Sequence, residues 1–256
     1  MSLYEMIRTG INLDLSFLFD FYESSLAHFD GSLKTIEARW DKIERDDDVE
    51  YVSHQTEHLS DQQYMVARSQ QHCSYAVAIL LGSLTEDWLD MIERRLERDA
   101  PVARARYEAE KQTVKGRTKL RVYMDFHKTE FGVDLLSGVE AAPKRWVDDA
   151  FLPDGLVEQP STVDGRFVED FIWARNKIVH KRGRARATQL RRGDGAARNV
   201  PVNGLDGDEE RAPENFQIEM PREYIYGVTR ALVAFFHRIV FDLSSRYEAH
   251  AEAGSQ

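Results

Sequence analysis

The sequence predicts an all-α helical bundle, and three observations carry that expectation. Apolar residues recur at steps of three and four over long stretches, the mark of one helix face. Valine and isoleucine are sparse, and alternating runs of β-branched residues are missing. Only seven prolines and fifteen glycines interrupt 256 residues, many of them after Asp99.

With 42% hydrophobic residues the chain can build a real core, and it reads as a single helical domain over 1–256. Its net charge of −10 argues against bulk electrostatic binding of nucleic acid. Any nucleic-acid contact has to come from a local basic patch. One stands between 181 and 198, where Lys181, Arg182, Arg184, Arg186, Arg191, Arg192 and Arg198 face Asp194 alone. Cys73 is the single cysteine, so no intrachain disulfide can form, which fits a reducing cytoplasm. No apolar run is long enough to span a bilayer, and no signal peptide is expected.

The first helix is predicted over 12–46, with Leu15, Leu18, Phe19, Tyr22, Leu26, Phe29, Leu33, Ile36, Trp40 and Ile43 on one face. A second helical region covers 49–98, with a break expected near Ser60, which precedes Gln63 at capping-box spacing. Its part from Tyr75 to Leu96 is apolar nearly all round, as in a central helix. Pro101 ends that region or opens the next, a polar helical stretch over 102–129. Residues 126–138 read as turn-rich, and a short helix is predicted over 144–150, containing Trp146. Ser161 or Thr162 is the expected cap of a helix over 163–181. Residues 184–221 read as a long polar loop, with an extended segment near 216–220. Pro221 then opens a last helix over 222–246, whose apolar face includes Tyr224, Val228, Leu232, Phe235, Phe236, Ile239, Val240 and Leu243.

The helix over 163–181 carries the chemistry. Phe167, Phe171, Ala174 and Ile178 form one stripe, and Val168, Ile172, Arg175 and Val179 an adjacent one. Arg175 therefore lies at the core edge, while Asn176 and His180, four apart, point outward together. Glu86 lies in the apolar part of the second helix and needs a partner if buried; Arg175 fits.

Arg175-Asn176-Lys177-Ile178-Val179-His180 resembles the Arg-(polar)-x-x-x-His signature of the HEPN superfamily, the higher eukaryote and prokaryote nucleotide-binding domains. Ser83-Leu84-Thr85-Glu86-Asp87-Trp88 resembles the family's Ser-x-x-Glu stretch. Phe131-Gly132-Val133-Asp134, with Trp146 downstream, resembles the passage before the signature helix. The resemblance covers about 75–183; the flanking helices carry no specific motif, and the loop over 184–221 is longer than the family leads one to expect.

The resemblance implies a metal-independent endoribonuclease, acting without cofactor as a homodimer whose signature helices meet across one composite site. It further implies a role in prokaryotic defence or as the toxin of a toxin–antitoxin pair, with an antitoxin protein as partner. Arg175 and His180 are then catalytic, Asn176 supports them, and Glu86 orients Arg175. Lys177, Lys181, Arg182, Arg184 and Arg186 are the RNA-contacting cations. The chemistry is coherent. Attack by an RNA 2′-hydroxyl on its own phosphate needs proton transfer near neutrality, which histidine supplies. It also needs fixed positive charge, which a planar arginine supplies. The products are a 2′,3′-cyclic phosphate and a 5′-hydroxyl. Simpler readings stand beside this one. Arg175 and Glu86 can be a structural ion pair, His180 can cap the helix C-terminus, and the basic loop can be a solvated linker. A non-catalytic HEPN module that binds nucleotide or RNA, or scaffolds an assembly, is the alternative function.

Overall fold

Buried apolar side chains at helical spacing decide where the elements lie. The computed structural model describes residues 3–43, 49–113, 118–142, 160–205 and 215–253. Six α-helices dominate them: α1 (Leu3–Ile43), α2 (Val49–Asp99), α3 (Pro101–Thr113), α4 (Lys119–Phe131), α5 (Gly165–Lys181) and α6 (Arg222–Ala253). The all-α expectation holds for this bulk. No helix among the described residues is long and apolar enough to cross a membrane.

On α1 the predicted face is the buried one: Leu15, Leu18, Phe19, Tyr22, Leu26, Ile36 and Ile43 are covered. Helix α1 begins earlier than predicted, at Leu3. Helix α2 packs along α1 and runs without a break through Ser60. The capping signal is overridden because Leu59, one residue earlier, is fully buried in a cluster with Ile36 and Ile43. Pro101 opens α3, where a missing N–H costs nothing. The helical stretch expected over 102–129 is two helices, α3 and α4, and α4 runs on to Phe131, into the passage expected to be turn-rich. It ends at Gly132 in the left-handed region, φ 72°, with the Gly132 N–H bonded to the Lys128 carbonyl.

Helix α2 is central as expected, since it packs against all five other helices, and α6 is the more completely buried of the two along its middle. Every residue of α6 from Ala231 to His237 is buried, whereas Leu80 on α2 is 47% exposed. Trp88 of α2 closes the core between α1 and α6. Its ring meets Phe236 edge-on at 5.2 Å, and its Nε1–H donates to Asp14 at 2.9 Å.

Two small sheets correct the loop prediction. Strand β1 (Val139–Glu140) pairs antiparallel with β2 (Thr162–Val163), just before α5. Strands β3 (Arg184–Arg186), β4 (Val202–Gly204) and β5 (Asn215–Ile218) form an antiparallel sheet in the order β3-β5-β4. Among the described residues, the stretch after α5 is thus a folded appendage, with a 3-10 turn at Ala187–Leu190. The helix predicted over 144–150, with Trp146, lies outside the described residues.

Candidate active site between α2 and α5

Helix α5 is fixed at both ends by local chemistry. Its N-cap is Asp164, whose carboxylate accepts from the Arg166 and Phe167 N–H groups at 2.9 and 3.3 Å. The predicted caps Ser161 and Thr162 fall short because Thr162 is held in β2. At the other end Arg182 takes a left-handed backbone, φ 53°, and Gly183 follows at φ 77°. The Gly183 N–H then closes back on the Lys177 carbonyl at 3.0 Å. A side chain at Gly183 has no room: a Cβ there would come within 2.5 Å of Gln217 Nε2 and 2.9 Å of the Tyr75 hydroxyl.

Between these ends Val168, Phe171, Ile172, Ala174 and Ile178 of the predicted stripes are buried and Phe167 is partly so, while Val179 is exposed at the edge of the face. Arg175 leaves that face toward α2 and lies across the backbone of Gly82. A Cβ at Gly82 would meet Arg175 Cγ and Nε at 2.9 Å, so glycine is what lets the arginine lie so close. Arg175 Nη1 donates to Asn176 Oδ1 at 3.0 Å and reaches Glu86 Oε1 at 3.5 Å; Nη2 donates to Ser83 Oγ at 3.1 Å. Arg175 is 15% exposed and Glu86 50%, so water screens the pair. A guanidinium has five N–H donors, and these contacts use three of them. Nε is buried and has no acceptor among the described residues, and one Nη2 donor stays uncommitted.

The structure therefore brings Arg175, Asn176 and Glu86 together, with Ser83 as a fourth member. Asn176 does not point outward with His180, because its amide oxygen turns to Arg175. His180 is exposed in the last turn of α5 and has no hydrogen bond or ion pair among the described residues.

Apart from Arg191, which donates to the Gly195 carbonyl at 3.3 Å, the basic stretch divides into two groups. Lys181, Arg182, Arg184 and Arg186 are exposed, with Arg184 and Arg186 flanking buried Ala185 on β3 and so projecting from one side of the strand. Arg192 and Arg198 are committed elsewhere. Both bind the fully buried Asp170, Arg192 through two nitrogens and Arg198 through Nη1 at 3.0 Å. The Asn199 N–H completes the carboxylate's shell at 2.8 Å. The two hydrogen bonds that Arg192 donates to the Asp170 carboxylate hold its guanidinium even more firmly protonated than usual. The Arg198 guanidinium also lies 4.6 Å from the Trp173 ring centre, and Lys177 Nζ 5.5 Å from it. Burial first, then Lys181 and Arg198, lowers the Lys177 pKa.

Two residues of this region escaped the sequence reading. Gly82 had a signal: a glycine inside an apolar helix is costly unless something packs on it. Asp170 had one too, a carboxylate among Phe167, Val168, Phe171 and Ile172. Among the described residues no three His, Cys, Asp or Glu side chains converge as a metal site would require. Compared with known proteins, the chain matches no family model, no curated protein and no solved structure.

Proposed function

We propose that the chain is an endoribonuclease of HEPN type that cuts RNA without a metal, as a homodimer in which two α5 helices share one cleft. The observation that carries this reading is the Arg175 arrangement. The guanidinium is held in place by Ser83, Asn176 and Glu86, yet it keeps donors uncommitted and its carboxylate partner is half in water. A cation fixed in this way stabilises the negative charge that a phosphate gathers during attack.

His180 is the proton-exchanging group on the same helix. In the proposed reaction the 2′-hydroxyl loses its proton and its oxygen bonds to phosphorus. The P–O5′ bond breaks, and the 5′-oxygen takes up a proton. Lys177, Lys181, Arg182, Arg184 and Arg186 guide the RNA backbone toward the site. The chain's net negative charge confines that guidance to this corner. A place in prokaryotic defence, opposed by an antitoxin protein and in the cytoplasm, is the setting proposed for such an activity.

The test is incubation of labelled RNA with purified protein in chelator, beside Arg175→Ala and His180→Ala. Cleavage to 2′,3′-cyclic phosphate ends by the wild type, lost in both variants, is expected. Equal nicking by all three preparations overturns the reading. RNA binding by all three with no cleavage points instead to a non-catalytic nucleotide- or RNA-binding module. Light scattering checks the dimer.

A further inference from the structure

One turn beyond Arg175, Ile178 of α5 borders a groove of about 1330 Å³ that runs away from the Arg175 cluster along α2. Its walls are α1, α2, the end of α5 with the start of β3, and the approach to α6. The floor is built. The Tyr75 hydroxyl donates to the Ile218 carbonyl and accepts from Gln217 Nε2 at 2.6 Å. Gln217 also donates to the Arg182 carbonyl at 3.1 Å. This seam occupies the space that a side chain at Gly183 would need, so the groove ends on a rigid edge of the α5 terminus.

Cations on three elements overlook this floor: Arg68 on α2, Arg182 at the α5 terminus and Arg184 on β3. All three are exposed, and none has a side-chain ion pair among the described residues. Arg222, also in the lining, is already paired with Glu23. Tyr64 lies in the same wall with 61% of its surface exposed and its ring available for stacking. Asp30, Glu219 and Glu223 interrupt the positive charge. That pattern suits a ligand with spaced phosphates and flat apolar faces better than a run of acidic side chains. From Ser83 to Arg68 the α2 axis runs about 22 Å, at 1.5 Å per residue.

We propose that this groove is a track for single-stranded RNA leading away from the scissile phosphate, with Arg68, Arg182 and Arg184 meeting phosphates and Tyr64 stacking a base. The assignment rests on the ribonuclease reading for the identity of the ligand, and it adds a binding surface within one protomer. Stacking on an aromatic ring tolerates any base, so the track confers a preference for unpaired RNA over duplex without reading sequence.

The test is fluorescence anisotropy of a labelled single-stranded RNA of mixed sequence against the full chain, Tyr64→Ala and Arg68→Glu. Both side chains are exposed on α2, so thermal melts should match the wild type and serve as the folding control. Tyr64→Ala is expected to weaken binding about tenfold. Arg68→Glu is expected to weaken binding and flatten its salt dependence. Unchanged affinity in both variants overturns the track. Polyglutamate bound as tightly as RNA also overturns it and marks the groove as an acidic-peptide site. RNA cleavage that needs Arg175 but is indifferent to both substitutions removes the track and leaves the nuclease. Binding lost in both variants while no preparation cuts RNA keeps the track and removes the nuclease.

Discussion

On one flank of α5, Asp170 is fully buried and its carboxylate takes Arg192, Arg198 and the Asn199 N–H. On the other flank, Arg175 reaches a carboxylate that is half exposed, at 3.5 Å, and keeps donors unused. Both clusters pair arginine with carboxylate, and each takes one partner from α5: the carboxylate in the first and the arginine in the second. In the first the charge is consumed: two cations and a backbone donor surround one anion, and the appendage after α5 is clamped to the helix. In the second the cation is aimed but left partly unanswered. A closed cluster serves architecture, and an open one leaves electrostatic work for a ligand.

That contrast can be broken at three places. The largest effect is expected from Asp170→Asn, which leaves two arginines facing a neutral amide beneath the clamp. Breaking a buried pair from one side costs about 3 kcal/mol, so urea unfolding should show a loss of that order. A loss below about 1 kcal/mol would place the cluster with ordinary surface pairs and erase the distinction. Gly82→Ala is expected to separate stability from activity. Alanine favours the helix by about 1 kcal/mol, while its Cβ pushes the flexible Arg175 side chain aside. The unfolding free energy should therefore change little, whereas the proposed metal-free cleavage should fall by about a hundredfold, as misplaced reacting groups do. Unaltered cleavage would mean that Arg175 does not act from the observed pose. The smallest effect is expected from Glu86→Gln. A half-exposed partner contributes less than about 0.5 kcal/mol, so the melting temperature should barely move. Cleavage should suffer less than in Gly82→Ala, because Ser83 and Asn176 still hold the guanidinium. A marked drop in melting temperature would show the pair to be structural.

What was legible in the sequence follows from the range of the interactions involved. The stripes of α1, α5 and α6 are repeated local patterns, and most of the side chains they select are buried, with Val179 the exposed exception. The approach of Arg175 to Glu86 was also expected, although the reason for expecting it, burial of the carboxylate, does not hold: Glu86 is half exposed. The sheet β3-β5-β4 was not legible, because strands of three or four residues are too short to establish an alternation. Asp170 was missed because its partners lie 22 and 28 residues further on, in a stretch whose arginines looked like one solvated patch. Ser60 misled because a capping box is a local preference, and the burial of Leu59 outweighs it.

The long pairing of α1 with α2 has a mechanical side. At 41 and 51 residues the two helices are about 62 and 77 Å long, and they reach past the main core. Their far end is held by a separate small cluster, Ile36, Ile43 and Leu59 with Trp40, Val52 and Val66 around it. Such an arm is the first part of a molecule to open, since few buried contacts hold it shut. Tyr64 and Arg68 are carried on the same arm as Val66. A strand seated against them would quiet the arm's breathing, and some of its binding energy would go into lost motion. On the proposed RNA track, the arm would then be an entropic brake on association.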